Sequence, residues 1–260
     1  MTGTANTTDT RRLNVWLEVS RAAYRHNLEL FRRLVGPQVE LAVAIKSNAY
    51  GHGFDQIAAL AVDCGADSFC VHTLDEALAL RRKGYSQDIL IMGPVPAARL
   101  HHVVEDDLRL VLFDQQTATR LAELAAAAER NVRVHLKLET GTYRQGIDPQ
   151  ELAWFTDFLT RHPQLIAEGA YTHFANIEDT TSHDYADHQL ERFHDAITQL
   201  RAAGIDPPKR HTACSAAILV FPNTHFEMVR LGISQYGLWS SKETYLSYRL
   251  DHPEGDAVLE

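Results

Sequence analysis

The sequence Leu41-Ala-Val-Ala-Ile45 runs directly into Lys46-Ser-Asn-Ala-Tyr-Gly-His-Gly53, so a short apolar segment is followed by a polar loop with two glycines. An apolar run of this length predicts a buried β-strand. Because a lysine at the end of such a strand is partly removed from water, its amine can lose its charge and attack an aldehyde. An isolated lysine at a strand end is more often a solvated side chain. The flanking residues therefore decide between the two interpretations.

Further β-forming runs alternate with segments of helical period along the chain. We predict eight strands, at Glu40–Ile45, Ser68–Val71, Asp88–Met92, Leu108–Phe113, Val132–Leu138, Ala167–Thr172, Lys209–Thr212 and Phe226–Val229. Helical spacing of apolar residues predicts helices at Ala22–Val35, Gln115–Arg130 and His183–Ala203. This βαβα order implies parallel strands with right-handed crossovers, and eight strands fit an α/β fold of the closed (β/α)8, TIM-barrel type. An open doubly wound sheet has the same order and is the alternative fold.

The chain divides into three predicted segments. Residues 1–12 are polar and rich in threonine, and we expect a disordered tail there because the segment has no hydrophobic signal core. Residues 13–238 carry the predicted barrel. Residues 239–260 are too few for a domain, and we expect them to be a linker or the start of a truncated C-terminal domain.

The composition excludes several classes of protein. The 260 residues are 45% hydrophobic and 23% charged, as in ordinary globular proteins. A net charge of −9 argues against a nucleic-acid partner, and the lack of any run of eighteen apolar residues argues against a membrane span. The three cysteines, Cys64, Cys70 and Cys214, have no CxxC spacing, so we expect neither a disulfide framework nor a metal site. We expect them to be reduced thiols in a protein of the cytoplasm.

Candidate residues also follow the later strands, where barrel enzymes carry their chemistry. Arg144 lies in a glycine-containing loop after the fifth strand, where it can pair with an anionic oxygen. His173 follows the sixth strand, and the small residues Ser215 and Gly232 follow the last two. Small residues with free backbone N–H groups at this end of a barrel commonly hold a phosphate. Taken singly, the charged residues among them are more often surface or core side chains.

The segment Lys46–Gly53 closely resembles the cofactor-lysine signature of the alanine racemase family, which typically has alanine at the position of Ser47. The resemblance implies that Lys46 holds pyridoxal 5′-phosphate covalently and that Tyr50 donates a hydrogen bond to its phosphate. It extends from about Asn14 to Leu238, with four motifs in the family's order.

The loop after the fifth strand is similar to a second family motif. By this resemblance Arg144 contacts the phenolic oxygen of the cofactor and the substrate carboxylate, and Lys137 matches a lysine that is often carbamylated and orients that arginine. The sequence departs from the family with Glu139 in place of aspartate and Tyr143 in place of glycine. A large residue at Tyr143 bears on the size of the pocket. Cys214 is a further departure, since the family usually has asparagine there.

The remaining motifs imply how the cofactor ring and phosphate are held. His173 matches the histidine that packs against the pyridine ring. Ser215, Gly232 and Ile233 fall on the family's phosphate-binding positions. Arg230 matches the arginine that points at the pyridine nitrogen. Because an arginine cannot accept that proton, the ring nitrogen stays unprotonated, which favours racemisation over other reactions.

The resemblance therefore implies a racemase that interconverts L- and D-alanine and supplies D-alanine for the cell wall, with Lys46, Arg144 and His173 as catalytic residues. In the family, a second base comes from a tyrosine in the C-terminal β domain of the partner subunit in a homodimer. Nothing around Tyr245 or Tyr248 resembles that motif. We expect this chain to bind the cofactor and to racemise poorly or not at all.

Three other interpretations stay open from the sequence. A non-catalytic, single-domain pyridoxal-phosphate homeostasis protein shares the barrel and the chain length, but Asn48–Gly53 does not resemble its lysine motif. A decarboxylase on the same barrel pairs the ring nitrogen with an acid, and Arg230 argues against it. A barrel without the cofactor would leave Lys46 unreactive.

Overall fold

Eight strands, each parallel to its neighbours, form one sheet in the computed structural model, which describes residues 14–253 and 259–260. In chain order they are β1 (Glu40–Ala44), β2 (Ser68–Val71), β3 (Asp88–Ile91), β4 (Arg109–Leu112), β5 (Val132–Lys137), β6 (Leu165–Tyr171), β7 (Lys209–His211) and β8 (Met228–Leu231). Each strand from β1 to β6 pairs with the next strand in the chain, and β1 also pairs with β8. Just beyond the end of β7, the N–H of Arg230 donates to the carbonyl of Ala213 at 3.0 Å and joins β8 to the other edge.

Helices cover the outside of this barrel. Their bounds are Arg21–Val35, Phe54–Asp63, Leu74–Arg82, His101–Glu105, Gln115–Ala127, Leu152–Arg161, Asp184–Ala202, Ser215–Val220 and Lys242–Asp251. Short 3₁₀ turns lie at Ala97–Arg99, Pro222–Thr224 and Ile233–Tyr236. In the part of the chain that the structure describes, none of the helices has both the length and the apolar character needed to cross a membrane.

The strands separate two apolar layers. On β1, Leu41, Val43 and Ile45 face outward into the large core beneath the helices. The alternate residues Ala42 and Ala44 face the barrel interior, where they join a small cluster. This alternation follows from the period of two along a strand. The small alanines leave room inside the barrel at the end where Lys46 follows.

The (β/α)8 barrel confirms the predicted fold class. The open-sheet alternative is wrong because β8, which pairs with β1, is also joined by the Arg230–Ala213 hydrogen bond to the edge beyond β7. Most of the predicted strands match within one or two residues. The last one is displaced, since Phe226–Val229 is predicted and Met228–Leu231 is observed.

The region 239–260 contains a helix that the sequence analysis did not predict. Ser241 caps the helix Lys242–Asp251, and its hydroxyl accepts a hydrogen bond from the N–H of Thr244 at 2.9 Å. Tyr248 is 3% exposed and packs into the main core. These residues are therefore part of the barrel's packing. The expected tail at residues 1–12 lies outside the described residues.

Candidate active site

A cavity of about 360 Å³ opens at the carboxyl ends of the strands. Seven of the nine predicted site residues line it, all except Arg144 and Lys137, namely Lys46, Tyr50, His173, Ser215, Arg230, Gly232 and Ile233. These residues come from the ends of β1, β6, β7 and β8, so the closure of the barrel brings them together. A volume of this size accommodates a small organic molecule.

The loop after Lys46 has an unusual backbone. The four residues Ser47 to Tyr50 all have φ between 53° and 58°, which forms a left-handed turn without glycine. Such a conformation costs roughly 1–2 kcal/mol per residue, so contacts from outside the turn must hold it. The Ser47 N–H donates to Glu76 at 2.7 Å, and the Phe54 N–H donates to the side chain of Asn48 at 2.8 Å. These contacts fix the direction in which Lys46 leaves β1.

The amine of Lys46 loses its proton more easily than the amine of an ordinary lysine. Burial lowers the pKa of Lys46, and the positive charges of Arg144 and Arg230 lower it further, against a smaller opposing effect of the Cys70 and Glu76 side chains. A neutral amine keeps the lone pair needed to attack a carbonyl carbon. Lys46 therefore has the electrostatic setting of a nucleophile or a base.

Gly232 lies between the hydroxyl groups of Tyr50 and Ser215, and it has no side chain to fill the space beside them. We call this arrangement the Gly232 cradle. A Cβ atom at Gly232 would lie 2.9 Å from the Tyr50 hydroxyl and 3.6 Å from Ser215 Oγ. The N–H groups of Gly232 and Ser234 donate to Ser215 Oγ at 2.9 and 3.3 Å. Burial raises the pKa of Tyr50 to about 12, so its hydroxyl stays protonated and can donate. Because Ser215 Oγ accepts from both N–H groups, its own O–H remains to donate, as does that of Tyr50, and two hydroxyl donors around an open space suit a phosphate group.

Arg230 is fixed at the cavity wall and is only 4% exposed. Its NH1 donates to the carbonyl and to Nδ1 of His211, at 2.8 and 2.7 Å. Its NH2 donates to the carbonyls of Thr172 and Thr212, at 2.9 and 3.1 Å. These bonds engage four of the five N–H groups of a guanidinium and leave Nε–H as the donor for a ligand.

His173 is kept neutral in the same cavity. Burial lowers its pKa well below the ordinary value, and the charges of Arg230 and Arg144 act in the same direction. Its backbone carbonyl accepts hydrogen bonds from Thr142 and Gln189, at 2.6 and 3.1 Å. A neutral imidazole can lie against an aromatic ring without adding a charge to the site.

Lys137 is 3% exposed and ends β5 inside the barrel. Burial and the positive charges of Arg144 and Arg230 lower its pKa to about 7. Its amine lies 5.7 Å from the centre of the Tyr171 ring, whose buried hydroxyl has no hydrogen-bond partner in the described part of the chain. Lys137 is therefore a buried amine that is largely uncharged above neutral pH.

Arg144 lies in an exposed loop at the mouth of the barrel, outside the lining of the cavity. The loop is tied down on both sides, because Glu139 accepts the N–H of Thr142 at 2.7 Å and Gln145 donates to the Met92 carbonyl at 2.9 Å. Tyr143 is 80% exposed, so in this structure its side chain does not narrow the cavity. Glu139 thus has a local role in shaping the loop.

Sequence reasoning missed several residues of the lining. Glu178, which the sequence analysis did not select, is half-buried in the cavity wall, and burial raises its pKa. Its place a few residues beyond the end of β6 is the signal that could have found it. Ser240, in the region beyond the predicted barrel, also lines the cavity.

The (β/α)8 barrel carries a partly buried lysine, a glycine–serine cradle and a fixed arginine at one mouth. These features define the class of barrel that can hold an anionic carbonyl compound. Residues 19–240 match the family model described as "Alanine racemase, N-terminal domain", and the chain belongs to this family.

Named relatives and solved structures agree with this assignment. Alanine racemases from Desulfovibrio desulfuricans and Desulfosudis oleivorans are 39% and 38% identical to the chain, and each alignment covers 88% of it. A structure of alanine racemase from Bacillus anthracis with bound L-Ala-P has a TM-score of 0.85 at 34% identity, and the match covers 94% of the chain and 61% of that structure. The chain spans about three fifths of the length of the two relatives, 62% and 61%.

Proposed function

We propose that this chain is the cofactor-binding barrel of an amino-acid racemase that acts on alanine, with pyridoxal 5′-phosphate in the cavity. The observation that carries the proposal is the presence of Lys46, with its lowered pKa, in the same cavity as the Gly232 cradle and Arg230. A lysine amine, an anion cradle and a donor that cannot accept a proton match the aldehyde, the phosphate and the ring nitrogen of this cofactor.

Different residues of the cavity would bind different parts of the cofactor. Lys46 holds the aldehyde carbon through its amine, while Tyr50, Ser215, Gly232 and Ile233 hold the phosphate. When bound, the cofactor delocalises charge from the amino acid's Cα and so makes its proton acidic. Once the amino group of the substrate has replaced the Lys46 amine on the aldehyde carbon, the freed Nζ of Lys46 would remove or return that proton, from one face only.

Arg230 and His173 set the environment of the cofactor ring. Arg230 offers its Nε–H toward the ring nitrogen and cannot take up a proton there. His173 stays neutral and packs against the ring. Arg230 is held by the carbonyls of Thr172, His211 and Thr212. The His173 carbonyl accepts a hydrogen bond from Thr142 in the loop after β5, and these bonds limit the movement of both residues.

Arg144 and Lys137 complete the substrate side of the site. We propose that Arg144 turns inward to pair with the substrate carboxylate, and that Lys137 reacts with carbon dioxide to form a carbamate that orients it. The lowered pKa of Lys137 supports this, because only a neutral amine reacts in this way. The unpartnered hydroxyl of Tyr171, beside Lys137, is available to donate to the new oxygens.

Alanine is the proposed substrate because a cavity of about 360 Å³ that also takes the cofactor favours an amino acid with a small side chain. The relatives named as alanine racemases support the same choice, and the Bacillus anthracis structure contains L-Ala-P. For a full-length racemase that contains this barrel, we further propose a cytoplasmic homodimer that supplies D-alanine for the cell wall.

A second base is needed on the opposite face of the planar carbon, and we propose that it does not come from the described residues of this chain. Tyr245 is 43% exposed and Tyr248 is buried in the core, and neither lines the cavity. This chain should therefore bind the cofactor and leave L- and D-alanine largely unconverted.

A trapping experiment tests the cofactor site. The chain is incubated with pyridoxal 5′-phosphate, treated with borohydride, and digested for peptide mass mapping, beside Lys46→Ala and Lys242→Ala. Lys242 is the matched control, because it is an exposed lysine near the same mouth. We expect the reduced adduct on Lys46 in the unsubstituted chain and in Lys242→Ala, and none in Lys46→Ala. An adduct spread over surface lysines, or unaffected by Lys46→Ala, would reject the site.

A further inference from the structure

A chain of hydrogen-bonded side chains runs through the interior of the barrel, from the cavity to its opposite end. Arg230 NH1 lies 2.7 Å from His211 Nδ1, and His211 Nε2 lies 2.8 Å from His135 Nδ1. His135 Nε2 lies 3.2 Å from Glu168 Oε2. Arg230, His211 and His135 are each under 5% exposed. The four residues come from β8, β7, β5 and β6, so the chain links non-adjacent parts of the sheet.

Elementary chemistry fixes the direction of every bond in this chain. Arg230 can only donate, so Nδ1 of His211 must accept and carries no proton. The proton of His211 is then on Nε2, which donates to Nδ1 of His135. His135 in turn carries its proton on Nε2 and donates it to Glu168. Both histidines are therefore neutral Nε2–H tautomers, and burial lowers the pKa of each, which agrees with this state.

Glu168 is a permanent acceptor at the far end. Burial alone raises the pKa of Glu168, but the hydrogen bond from His135 and the charges of Lys209 and Arg109 lower it to about 2. Lys209 Nζ lies 3.8 Å from one of its oxygens, and Arg109 Nε lies 3.4 Å from the other. The carboxylate therefore stays ionised at any ordinary pH.

The backbone of β6 is shaped to place this carboxylate. The β5–β6 register shifts between Val134 and His135, so that their partners are Ala167 and Gly169, and Glu168 is the extra residue of a bulge. A bulge of this kind redirects a side chain. A Cβ on Gly169 would lie 2.5 Å from His135 Nδ1, so only glycine leaves room for the imidazole.

We propose that Glu168 and His135, acting through His211, are positioning residues for Arg230: their one-way hydrogen-bond chain supplies a distant counter-charge and holds the guanidinium with Nε–H toward the cofactor ring. The role at the ring rests on the proposed function. The direction of the chain is a property of this barrel with or without a cofactor. Neither His135 nor Glu168 lines the cavity, so both act only through Arg230.

The first test reads the tautomers directly in the cofactor-free chain. Long-range ¹H–¹⁵N spectra of ¹⁵N-histidine-labelled protein distinguish protonated from unprotonated ring nitrogens. We expect His135 and His211 both as neutral Nε2–H forms throughout pH 6–8. An Nδ1–H form or a doubly protonated ring at either residue would overturn the proposal.

Substitutions then separate the hydrogen bond from the charge. Glu168→Gln removes the ionised acceptor, and Glu168→Asp keeps the charge but withdraws it from His135. Glu40→Gln is the matched control, because Glu40 also pairs with Lys209, at 2.8 Å, and does not contact His135. We expect the Nε2 proton of His135 to exchange with water about fivefold faster or more in both Glu168 variants, as the bond to a carboxylate weakens. If the Nε2 proton of His135 exchanged as fast in the Glu40→Gln control as in the Glu168 variants, the proposal would be contradicted.

A spectrum of the loaded protein tests the link to the cofactor. With bound pyridoxal 5′-phosphate, we expect the visible band to shift in Glu168→Gln and Glu168→Asp and to stay in place in Glu40→Gln. No band in the unsubstituted chain would reject the proposed function, while the tautomer result still decides the hydrogen-bond chain. A normal band that is the same in all variants would reject the positioning role alone.

Discussion

Gly232→Ala should weaken binding of pyridoxal 5′-phosphate while leaving the barrel folded. The added methyl carbon would lie 2.9 Å from the Tyr50 hydroxyl and 3.7 Å from its Cζ, where an ordinary contact is about 3.5–4.0 Å. Tyr50 must therefore shift away from the cradle, and the methyl group occupies space meant for the phosphate. Overpacking of this kind costs roughly 1–3 kcal/mol. A middle value of about 2 kcal/mol corresponds to an increase of about thirtyfold in Kd.

The assay is an absorbance titration with pyridoxal 5′-phosphate, with thermal unfolding as the check on folding. Tyr50→Phe supplies the matched background, because it removes the hydroxyl that the new methyl would meet. When Gly232→Ala is added to Tyr50→Phe, Kd should rise by about fivefold or less. The nearest remaining atom to the new methyl carbon is then Ser215 Oγ, at 3.6 Å. Unchanged affinity in Gly232→Ala, or an equal loss with and without the Tyr50 hydroxyl, would refute the cradle.

Three further predictions concern titration and stability. Lys137, with a pKa of about 7, should form a carbamate with ¹³C-labelled carbon dioxide at pH 8 and lose most of it by pH 6, as ¹³C NMR would show; a pH-independent signal would contradict this. The lowered pKa of Glu168 means that its contribution to stability is complete above about pH 4.5 and is lost as the pH falls toward 2. Acid unfolding of Glu168→Gln should thus depend less on pH in that range. Glu76→Ala, which frees the N–H groups of Ser47, His72 and Thr73, should lower the free energy of unfolding by about 1–3 kcal/mol, unlike the exposed control Glu123→Ala.

Local pattern was sufficient for the α/β barrel, while the family resemblance identified most of the cavity residues. The alternation of strands and helices predicts eight parallel strands, and the rule that function gathers at the carboxyl ends of strands points to Lys46, Ser215 and Gly232. Those residues lie together because strands that are distant in sequence become neighbours when the barrel closes. The same rule, applied to the whole loop that follows β6, would have included Glu178.

A single sequence could not predict the features that depend on contacts between distant segments of the chain. The left-handed turn after Lys46 has no glycine in its four residues, and Glu76, nearly thirty positions away, holds it. The bulge that turns Glu168 into the barrel is a mismatch between two strands, and neither strand shows it alone. The helix Lys242–Asp251 was missed because its buried face is short and largely polar, with Thr244, Ser247 and Tyr248 as its buried residues.

Hydrogen–deuterium exchange at the Cα of alanine tests the central claim most directly. The chain is loaded with pyridoxal 5′-phosphate in D₂O and given pure L-alanine or pure D-alanine, and NMR follows the Cα–H signal while chiral chromatography follows the enantiomers. Because Lys46 reaches only one face of the planar Cα carbon, we predict exchange for one enantiomer, little conversion to the other, and no exchange in Lys46→Ala. Exchange of both enantiomers at similar rates, or of neither while the cofactor is bound, would contradict it.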